Sequence, residues 1–215
     1  MHPDIPPSLA GIVPGEATPE GFAAAAGMDA ERAARAMEWW LGMGIGSRPD
    51  GTYLYEPGER LEAGIKLLEA GLDVGTVAPH LHWRDFEGLA GRILESEGYE
   101  VAFNHIMTGP RMEIDVVGIR LDVAILADCK HWRRSTSVSG AAARQEARAR
   151  RWSRLHGMAS VPVVVTLLEG PLSAGRVPVV PVRKLRSFAA EVFGNVEELA
   201  VTPEGRRGRG PNTRS

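Results

Sequence analysis

Glu113, Asp115, Asp128 and Lys130 have the residue types and the spacing that are needed to bring acidic groups and an amine together at one catalytic or binding site. Glu113 and Asp115 stand in one alternating apolar stretch, and Asp128 and Lys130 stand in a second stretch shortly after it. We expect two short strands joined by a tight turn. Because the side chains of a strand alternate between its two faces, Asp128 and Lys130 should project to the same side, and so should Glu113 and Asp115.

The pairing of these two strands decides which acids meet. A turn centred on residues 120 and 121 would place Glu113 opposite Asp128 and leave Asp115 as the diagonal neighbour, with Cα atoms about 7–8 Å apart. Another register or a bulge would change the partner. In each case, two or three carboxylates and one ammonium group converge on one patch of the sheet.

Like charges gathered in this way are unfavourable unless something compensates them, because neighbouring carboxylates raise each other's pKa. Mg²⁺ or Mn²⁺, which prefer oxygen ligands, would relieve the repulsion. The Lys130 ammonium could then hold or activate a water molecule, or stabilise charge that develops on a phosphate. The chain has three lysines and 22 arginines, so a lysine at this position is informative, since a guanidinium is not its equivalent.

An acid followed by Asp-x-Lys on paired strands resembles the PD-(D/E)xK nuclease superfamily. The run ADCKHW at 127–132 is similar to the Mrr-like restriction endonucleases and to the archaeal Holliday-junction-resolvase-like proteins. The resemblance covers about residues 80–185. Two departures from the family pattern are visible: no proline precedes Asp115, and Glu113 stands where related sequences often have glycine. The second departure leaves open which acid binds the metal.

The resemblance implies a set of site residues. Asp115 and Asp128 would bind Mg²⁺ (or Mn²⁺), with Glu87 and Glu113 as further candidate ligands, and Lys130 would position or activate the attacking water. Glu87 lies in the run WRDFEGLA at 83–90, where the family has a helix that carries a glutamate. The structural alternative is that Glu87 is a first-turn glutamate favoured by the helix dipole.

A strongly cationic helix is expected at residues 141–155, after the second strand. Arg144, Arg148 and Arg151 recur at helical spacing, with few acids to balance them. We expect contacts with the phosphates of a nucleic acid, and the alternative is a solvated charged face. Gln145 resembles family residues that follow the lysine strand, and we include it with the three arginines among the candidate nucleic-acid contacts.

The first 75 residues indicate a winged-helix domain. After an irregular segment at 1–17, Thr18 and Asp29 are expected to cap two successive helices. A hairpin at 47–55 with its turn at 49–51 would follow, and then a helix at 58–70 with Leu61, Ile65 and Leu68 on its inward face. Whether such a domain reads DNA or serves as a packing, dimerisation or partner surface stays open, since residues 1–75 hold 12 acids against 5 lysines and arginines, and this charge would repel phosphate.

Composition bounds the class of protein. With 215 residues, 44% of them hydrophobic, the chain is expected to be globular, in one or two domains. No apolar run has membrane-spanning length and no signal-peptide pattern is visible, so no membrane association is expected. Cys129 is the only cysteine, which favours a reducing cytoplasm. The six histidines form no zinc pattern, and there is no phosphate-binding glycine motif.

The expected fold class is α/β: a restriction-endonuclease-like mixed sheet flanked by helices, preceded by a small winged-helix domain. The expected domains are a winged-helix-like domain at 1–75, a nuclease-like domain at 76–203 and a disordered basic tail at 204–215. A linker is expected at 74–82, around the boundary of the first two. In the second domain, 161–168 should be a strand buried on both faces and 176–182 an edge strand, because it contains prolines.

The function that these observations favour is metal-dependent hydrolysis of DNA phosphodiester bonds, with DNA as partner and a homodimer as a plausible way to cut both strands of a duplex. Two alternatives remain. One is a nuclease-like fold that binds DNA or a partner protein without cutting, and the other is a transcriptional regulator led by the winged helix.

Overall fold

A computed structural model of the chain describes residues 4–130, 138–167 and 171–203. The chain forms two compact units, which meet in sequence between Leu89 and Ala90. The expected basic tail at 204–215, and His131 and Trp132 of the family-like run, lie outside the described residues.

The N-terminal unit is mainly helical. Its longer helices are α2, α3 and α4, and a two-stranded sheet pairs β1 with β2 in antiparallel fashion, with Gly15 opposite Tyr55. Its elements are α1 (Ile5–Ser8), a 3-10 turn (Leu9–Gly11), β1 (Gly15–Ala17), α2 (Pro19–Ala26), α3 (Ala30–Gly42), a 3-10 turn (Pro49–Gly51), β2 (Tyr53–Tyr55), α4 (Glu59–Glu69), α5 (Val74–Val77), a 3-10 turn (Ala78–His80) and the start of α6 (Trp83–Ser96).

The two predicted helix caps are confirmed. Thr18 accepts a hydrogen bond from the backbone N–H of Gly21 at 3.1 Å, and Asp29 accepts one from that of Arg32 at 2.8 Å. Gly27 adopts a left-handed conformation (φ 65°) at the end of α2, which only a residue without a side chain does at little cost. These signals are local, and this is why the sequence was sufficient to find them.

Three expectations for this unit were wrong. Residues 1–17 are not irregular throughout, because α1 and β1 lie there. The hairpin expected at 47–55 is reduced to one bridge between Ser47 and Leu54, and the pairing partner of β2 is β1. The expected linker at 74–82 is packed, with Val77, Ala78 and Leu81 buried.

The buried face of α4 also differs from the expected stripe of Leu61, Ile65 and Leu68. The residues that α4 buries are Ala63, Gly64 and Leu67. Gly64 permits this close packing because it has no side chain. A Cβ atom at this position would lie only 3.1 Å from Leu81, which is closer than ordinary van der Waals contact. The helix therefore turns its small residues toward the segment that the sequence had suggested as a linker.

The C-terminal unit is built on a six-stranded mixed sheet with the strand order β3-β4-β5-β6-β8-β7. Neighbours are antiparallel from β3 to β5, parallel from β5 through β6 to β8, and antiparallel again at β7. The strands are β3 (Glu100–Met107), β4 (Met112–Arg120), β5 (Val123–Lys130), β6 (Ala159–Thr166), β7 (Ser173–Ala174) and β8 (Val177–Pro181), and the helices are the end of α6, α7 (Val138–His156), α8 (Val182–Glu191) and α9 (Val196–Leu199). A mixed α/β sheet flanked by helices, as predicted, is confirmed.

The central strands of this sheet are almost entirely apolar, which is typical of strands covered on both faces. Seven of the eight residues of β6 are buried, and so are all but the last residue of β5. The edge assignment of 176–182 was wrong, because β8 lies between β6 and β7. A strand of only two residues, β7, is sufficient to cover the outer side of β8.

Among the described residues, no helix combines the length and the apolar character that crossing a membrane requires.

Candidate functional site

The hairpin of β4 and β5 brings two acids face to face. The paired residues run from Arg120 opposite Val123 to Val116 opposite Ala127, so the next residues along each strand are Asp115 and Asp128. The turn therefore consists of residues 121 and 122, one position later than expected. The predicted register, which placed Glu113 opposite Asp128, was wrong.

A shift in the side-chain alternation of β4 separates Glu113 from Asp115. Ile114 and Val117 would point to opposite faces of a regular strand, but both pack in one cluster with Ala149 and Trp152 of α7. Met112 packs against the same cluster, so Glu113, which lies between Met112 and Ile114, projects to the other face.

The neighbouring strand β3 is irregular at the same level. Asn104 has a left-handed backbone (φ 50°), Phe103 lies beside Gly91 of α6, and His105 contacts Trp152 of α7. Local distortions of this kind re-aim side chains, and they are common beside functional sites. By the register of β3 and β4, Asn104 stands opposite Asp115, whose carboxylate contacts β5.

Asp115 is held in place by the backbone of β5. Its Oδ2 accepts a hydrogen bond from the N–H of Cys129 at 2.7 Å. Burial, followed by the charge of Asp128, raises the pKa of the Asp115 carboxyl, and the hydrogen bond from Cys129 and the charges of Lys130 and Arg148 only partly offset this. Folding therefore makes ionisation of Asp115 less favourable than it is in the unfolded chain.

Asp115→Asn is expected to stabilise the metal-free protein at neutral pH by up to about 1 kcal/mol. The amide oxygen keeps an acceptor for Cys129 and removes the disfavoured charge. Because the pKa of Asp115 is raised in the folded chain, its carboxyl does not destabilise the fold below pH ~4, where an ordinary aspartate is protonated. The destabilisation develops as the pH rises from there through the folded-state pKa of Asp115. Thermal unfolding from pH 3 to 8 without metal checks this, and a stabilisation that is equal at all pH values would contradict it.

Asp128 is the most buried charged group of the site, with 2% of its surface exposed. The Nη1 atom of Arg148 lies 2.8 Å from its Oδ1, and the Nζ atom of Lys130 lies 2.9 Å from its Oδ2. Oδ2 accepts no well-aligned hydrogen bond from the described residues, and its near neighbour there is the Lys130 ammonium. A buried carboxylate oxygen of this kind has an unused lone pair for a further partner.

Gln145 links α7 to the site. Its side chain is fully buried; its Nε2 donates to the carbonyl of Leu126 at 2.5 Å, and its Oε1 accepts from Nη1 of Arg148 at 3.0 Å. Gln145 therefore fixes the position of the guanidinium against Asp128.

The other predicted residues are placed as follows. Glu87 is half-buried on α6, within the N-terminal unit. Glu113 forms an ion pair with Arg111 at 3.8 Å and has 47% of its side chain exposed. Nowhere in 4–130, 138–167 and 171–203 do three His, Cys, Asp or Glu side chains gather into a group that could hold a metal ion.

The expected cationic stripe is divided. Arg144 is exposed, Arg148 faces Asp128, and Arg151 donates a hydrogen bond to the carbonyl of Thr108. Arg148 is thus a member of the carboxylate cluster. The signal in the sequence was its place three residues after Gln145, on the helix face that packs on the sheet.

An aromatic cluster on the same helix was not predicted from the sequence. The ring of Trp152 stacks on His156 with centroids 4.0 Å apart and meets His105 edge-on at 4.8 Å. Burial and the neighbouring His105 lower the pKa of His156. The three rings fasten the C-terminal end of α7 to β3.

A cleft of about 760 Å³ lies elsewhere on the unit, lined by α7, β6, β8, α9 and the segment that follows α9. Its charged lining residues are Glu146, Arg150, Arg176 and Glu197. No member of the carboxylate cluster lines it, so the two features are separate.

No family model matches the chain. An uncharacterized protein of Archaeoglobus fulgidus is 30% identical over 127 residues, which span 55% of this chain and 98% of that protein. The crystal structure of AF1548, a protein of unknown function, aligns with a TM-score of 0.31 and 25% identity over 39% of this chain and 46% of that chain. That of VC1899 from Vibrio cholerae aligns with a TM-score of 0.41 and 10% identity over 92% of this chain and 58% of that chain. The sequence relationship shows that the chain belongs to one family with the uncharacterized Archaeoglobus fulgidus protein.

Proposed function

We propose that the protein is a metal-dependent DNA endonuclease, Mrr-like or junction-resolvase-like, whose active site contains Asp115, Asp128 and Lys130. The observation that carries the proposal is the pairing of two carboxylates on adjacent strands beside one lysine, with a buried oxygen of Asp128 that accepts no hydrogen bond from the described residues. A buried carboxylate oxygen without a well-aligned hydrogen bond is uncommon in a purely structural ion pair.

The residues present fit a Mg²⁺ or Mn²⁺ ion. Mg²⁺ is commonly bound by one or two carboxylates and keeps several waters, so the absence of a third acid among the described residues does not count against it. Asp115 and Asp128 would hold the ion, whose positive charge would relieve the repulsion that raises the pKa of Asp115.

The ion, when bound, would polarise the scissile phosphate and lower the pKa of a bound water. In hydrolysis, a bond forms between the water oxygen and phosphorus, and the bond from phosphorus to the departing sugar oxygen breaks. The attacking water loses a proton to solvent, and the departing sugar oxygen gains one. The Lys130 ammonium, tethered to Asp128 by its ion pair, has only donors to offer. It would orient the water through its oxygen, or donate to the phosphate oxygens as negative charge develops.

DNA as the substrate is supported by charge. The residues from 76 onward hold 20 lysines and arginines against 15 acids, and the exposed Arg144 stands on the same helix as Arg148. Arg144 and Arg151 are proposed phosphate contacts, and the basic tail would add affinity that does not depend on sequence. A homodimer would supply one site for each strand of a duplex.

The N-terminal unit is proposed to be a winged helix, since α1, β1, α2, α3 and β2 follow one another in the order of that fold. Several of its arginines form ion pairs with acidic residues. Arg32 pairs with Asp4, and Arg35 pairs with Glu31 at 2.5 Å. Arg48 pairs with Glu38 at 2.6 Å. Cations held in this way offer less to phosphate, which favours a packing or partner surface over a transcriptional regulator.

A protein that binds DNA without cutting it is the second candidate. It is favoured by the two cations that already face Asp128, since Arg148 and Lys130 balance the charges of Asp115 and Asp128 without an ion. In this case the cluster would be a structural ion-pair network, and Mg²⁺ would have no effect.

The test is a cleavage assay on supercoiled, linear, branched and single-stranded DNA, with Mg²⁺, Mn²⁺ or EDTA. Cleavage of at least one substrate that requires the divalent ion and stops with EDTA is the expected result. Binding of DNA without cleavage under any of these conditions would favour the second candidate.

A further inference from the structure

Arg148 occupies an unusual position for a cation on a helix rich in exposed arginines. Only 17% of its side chain is exposed, and its Nη1 lies 2.8 Å from Oδ1 of Asp128 and 3.0 Å from Oε1 of Gln145. The neighbouring Arg144 and Arg150 are exposed. This burial and this double contact identify a guanidinium that is built into the carboxylate cluster.

Charge balance shows what the guanidinium does there. Asp115 and Asp128 carry two negative charges, and Lys130 and Arg148 carry two positive charges, so the cluster is formally neutral without an ion. A divalent ion added to this set would leave two excess positive charges in a partly buried place, which is unfavourable. One of the cations must therefore give way when the ion binds.

We propose that Arg148 is a built-in counter-ion that competes with the divalent ion for Asp128 and so sets the metal affinity of the site. The inference rests on the proposed function, because it concerns the ion proposed there. Arg148 thereby acts through Asp128 and is a positioning residue.

Two contacts single out Arg148 over Lys130 as the group that moves. Lys130 is two residues from Asp128 on the same strand, so its side chain starts on the same face and stays within reach of Asp128. Arg148 has a longer side chain on another element, and Gln145, anchored by its hydrogen bond to the carbonyl of Leu126, offers it a second acceptor. The guanidinium can leave Asp128 and keep the contact with Gln145.

The test is a titration of the full-length protein with Mn²⁺ in the absence of DNA, in which the electron paramagnetic resonance signal of free Mn²⁺ reports the bound fraction. Arg148→Gln is expected to bind Mn²⁺ at least about tenfold more tightly than the wild type, since a unit charge a few ångströms from a divalent ion is worth about this factor even in a water-like dielectric. Arg148→Lys, which keeps the charge, should stay near the wild-type value. Arg144→Gln is the matched control, with a change within about twofold.

The possible results separate the inference from the proposed function. Mn²⁺ binding that Asp128→Asn abolishes, but that Arg148→Gln leaves unchanged or weakens, would overturn the counter-ion role and leave the metal site intact. No Mn²⁺ binding by the wild type or by Arg148→Gln would overturn both. Circular dichroism verifies folding, and Arg148→Met, which removes the charge but keeps an aliphatic chain, replaces the glutamine variant if that variant does not fold.

Discussion

Lys130→Ala is expected to lower the rate of metal-dependent DNA cleavage by at least about 100-fold while the protein still folds and binds DNA. The lysine is the one ammonium group beside both carboxylates among the described residues, at 2.9 Å from Asp128. Removal of a donor aimed at developing charge costs about 10²–10³-fold in rate in enzymes with this kind of stabilisation. Single-turnover cleavage rates and DNA binding by fluorescence anisotropy with Ca²⁺ in place of Mg²⁺ are the two measurements.

Lys184→Ala is the matched control. It removes the same charge from an exposed position on α8, and its cleavage rate should stay within about twofold of the wild type, because exposed charges are screened by salt. If Lys130→Ala cleaves at the wild-type rate, or if both variants lose cleavage equally, the lysine has no specific part in the reaction.

The face-to-face meeting of two acids beside a lysine was only partly predictable. That Asp128 and Lys130 share a face follows from strand alternation, which holds throughout β5. The register was missed because the turn uses Leu121 in a left-handed conformation (φ 56°). A large apolar residue rarely adopts this conformation, so the sequence did not favour residues 121 and 122 over residues 120 and 121 as the turn.

The loss of Glu113 from the carboxylate pair has a different origin. Alternation predicts that Glu113 and Asp115 lie together, and the distortion that separates them involves β3 as well as β4. Asn104 tolerates a left-handed backbone better than most residues, but its effect on Asp115 depends on the pairing of the two strands. A pattern read along one strand at a time does not contain this information.

The function of the helix face was also decided by tertiary contacts. Arg144, Arg148 and Arg151 have helical spacing, and their sequence pattern does not distinguish them. The packing of α7 on β5 gives them different environments, because the helix face that carries Gln145 lies against the sheet and places Arg148 beside Asp128. In the N-terminal unit, a tertiary contact that the sequence pattern does not show lies at Gly64. The absence of a side chain there lets α4 pack closely on Leu81, in the segment that was predicted to be a linker.

Asp128→Asn is expected to lower the free energy of unfolding by about 2–3 kcal/mol and to abolish both Mn²⁺ binding and cleavage. Loss of one partner from a buried ion pair typically costs about 3–5 kcal/mol. The smaller figure applies here because Lys130 and Arg148 keep 22% and 17% of their side chains exposed and can regain some hydration. Urea denaturation without metal measures the free energy of unfolding, and the Mn²⁺ titration measures the loss of metal binding.

A double-mutant cycle with Arg148→Gln shows whether the loss belongs to the pair. If the guanidinium is held mainly by Asp128, the cost of Arg148→Gln should fall by about 1–3 kcal/mol in the Asp128→Asn background. Asp122→Asn, at an exposed position in the turn of the same hairpin, is the control and should change stability by less than about 0.5 kcal/mol. Strictly additive costs would mean that Asp128 and Arg148 do not stabilise each other, and the cluster would then owe its geometry to the sheet and to Gln145 alone.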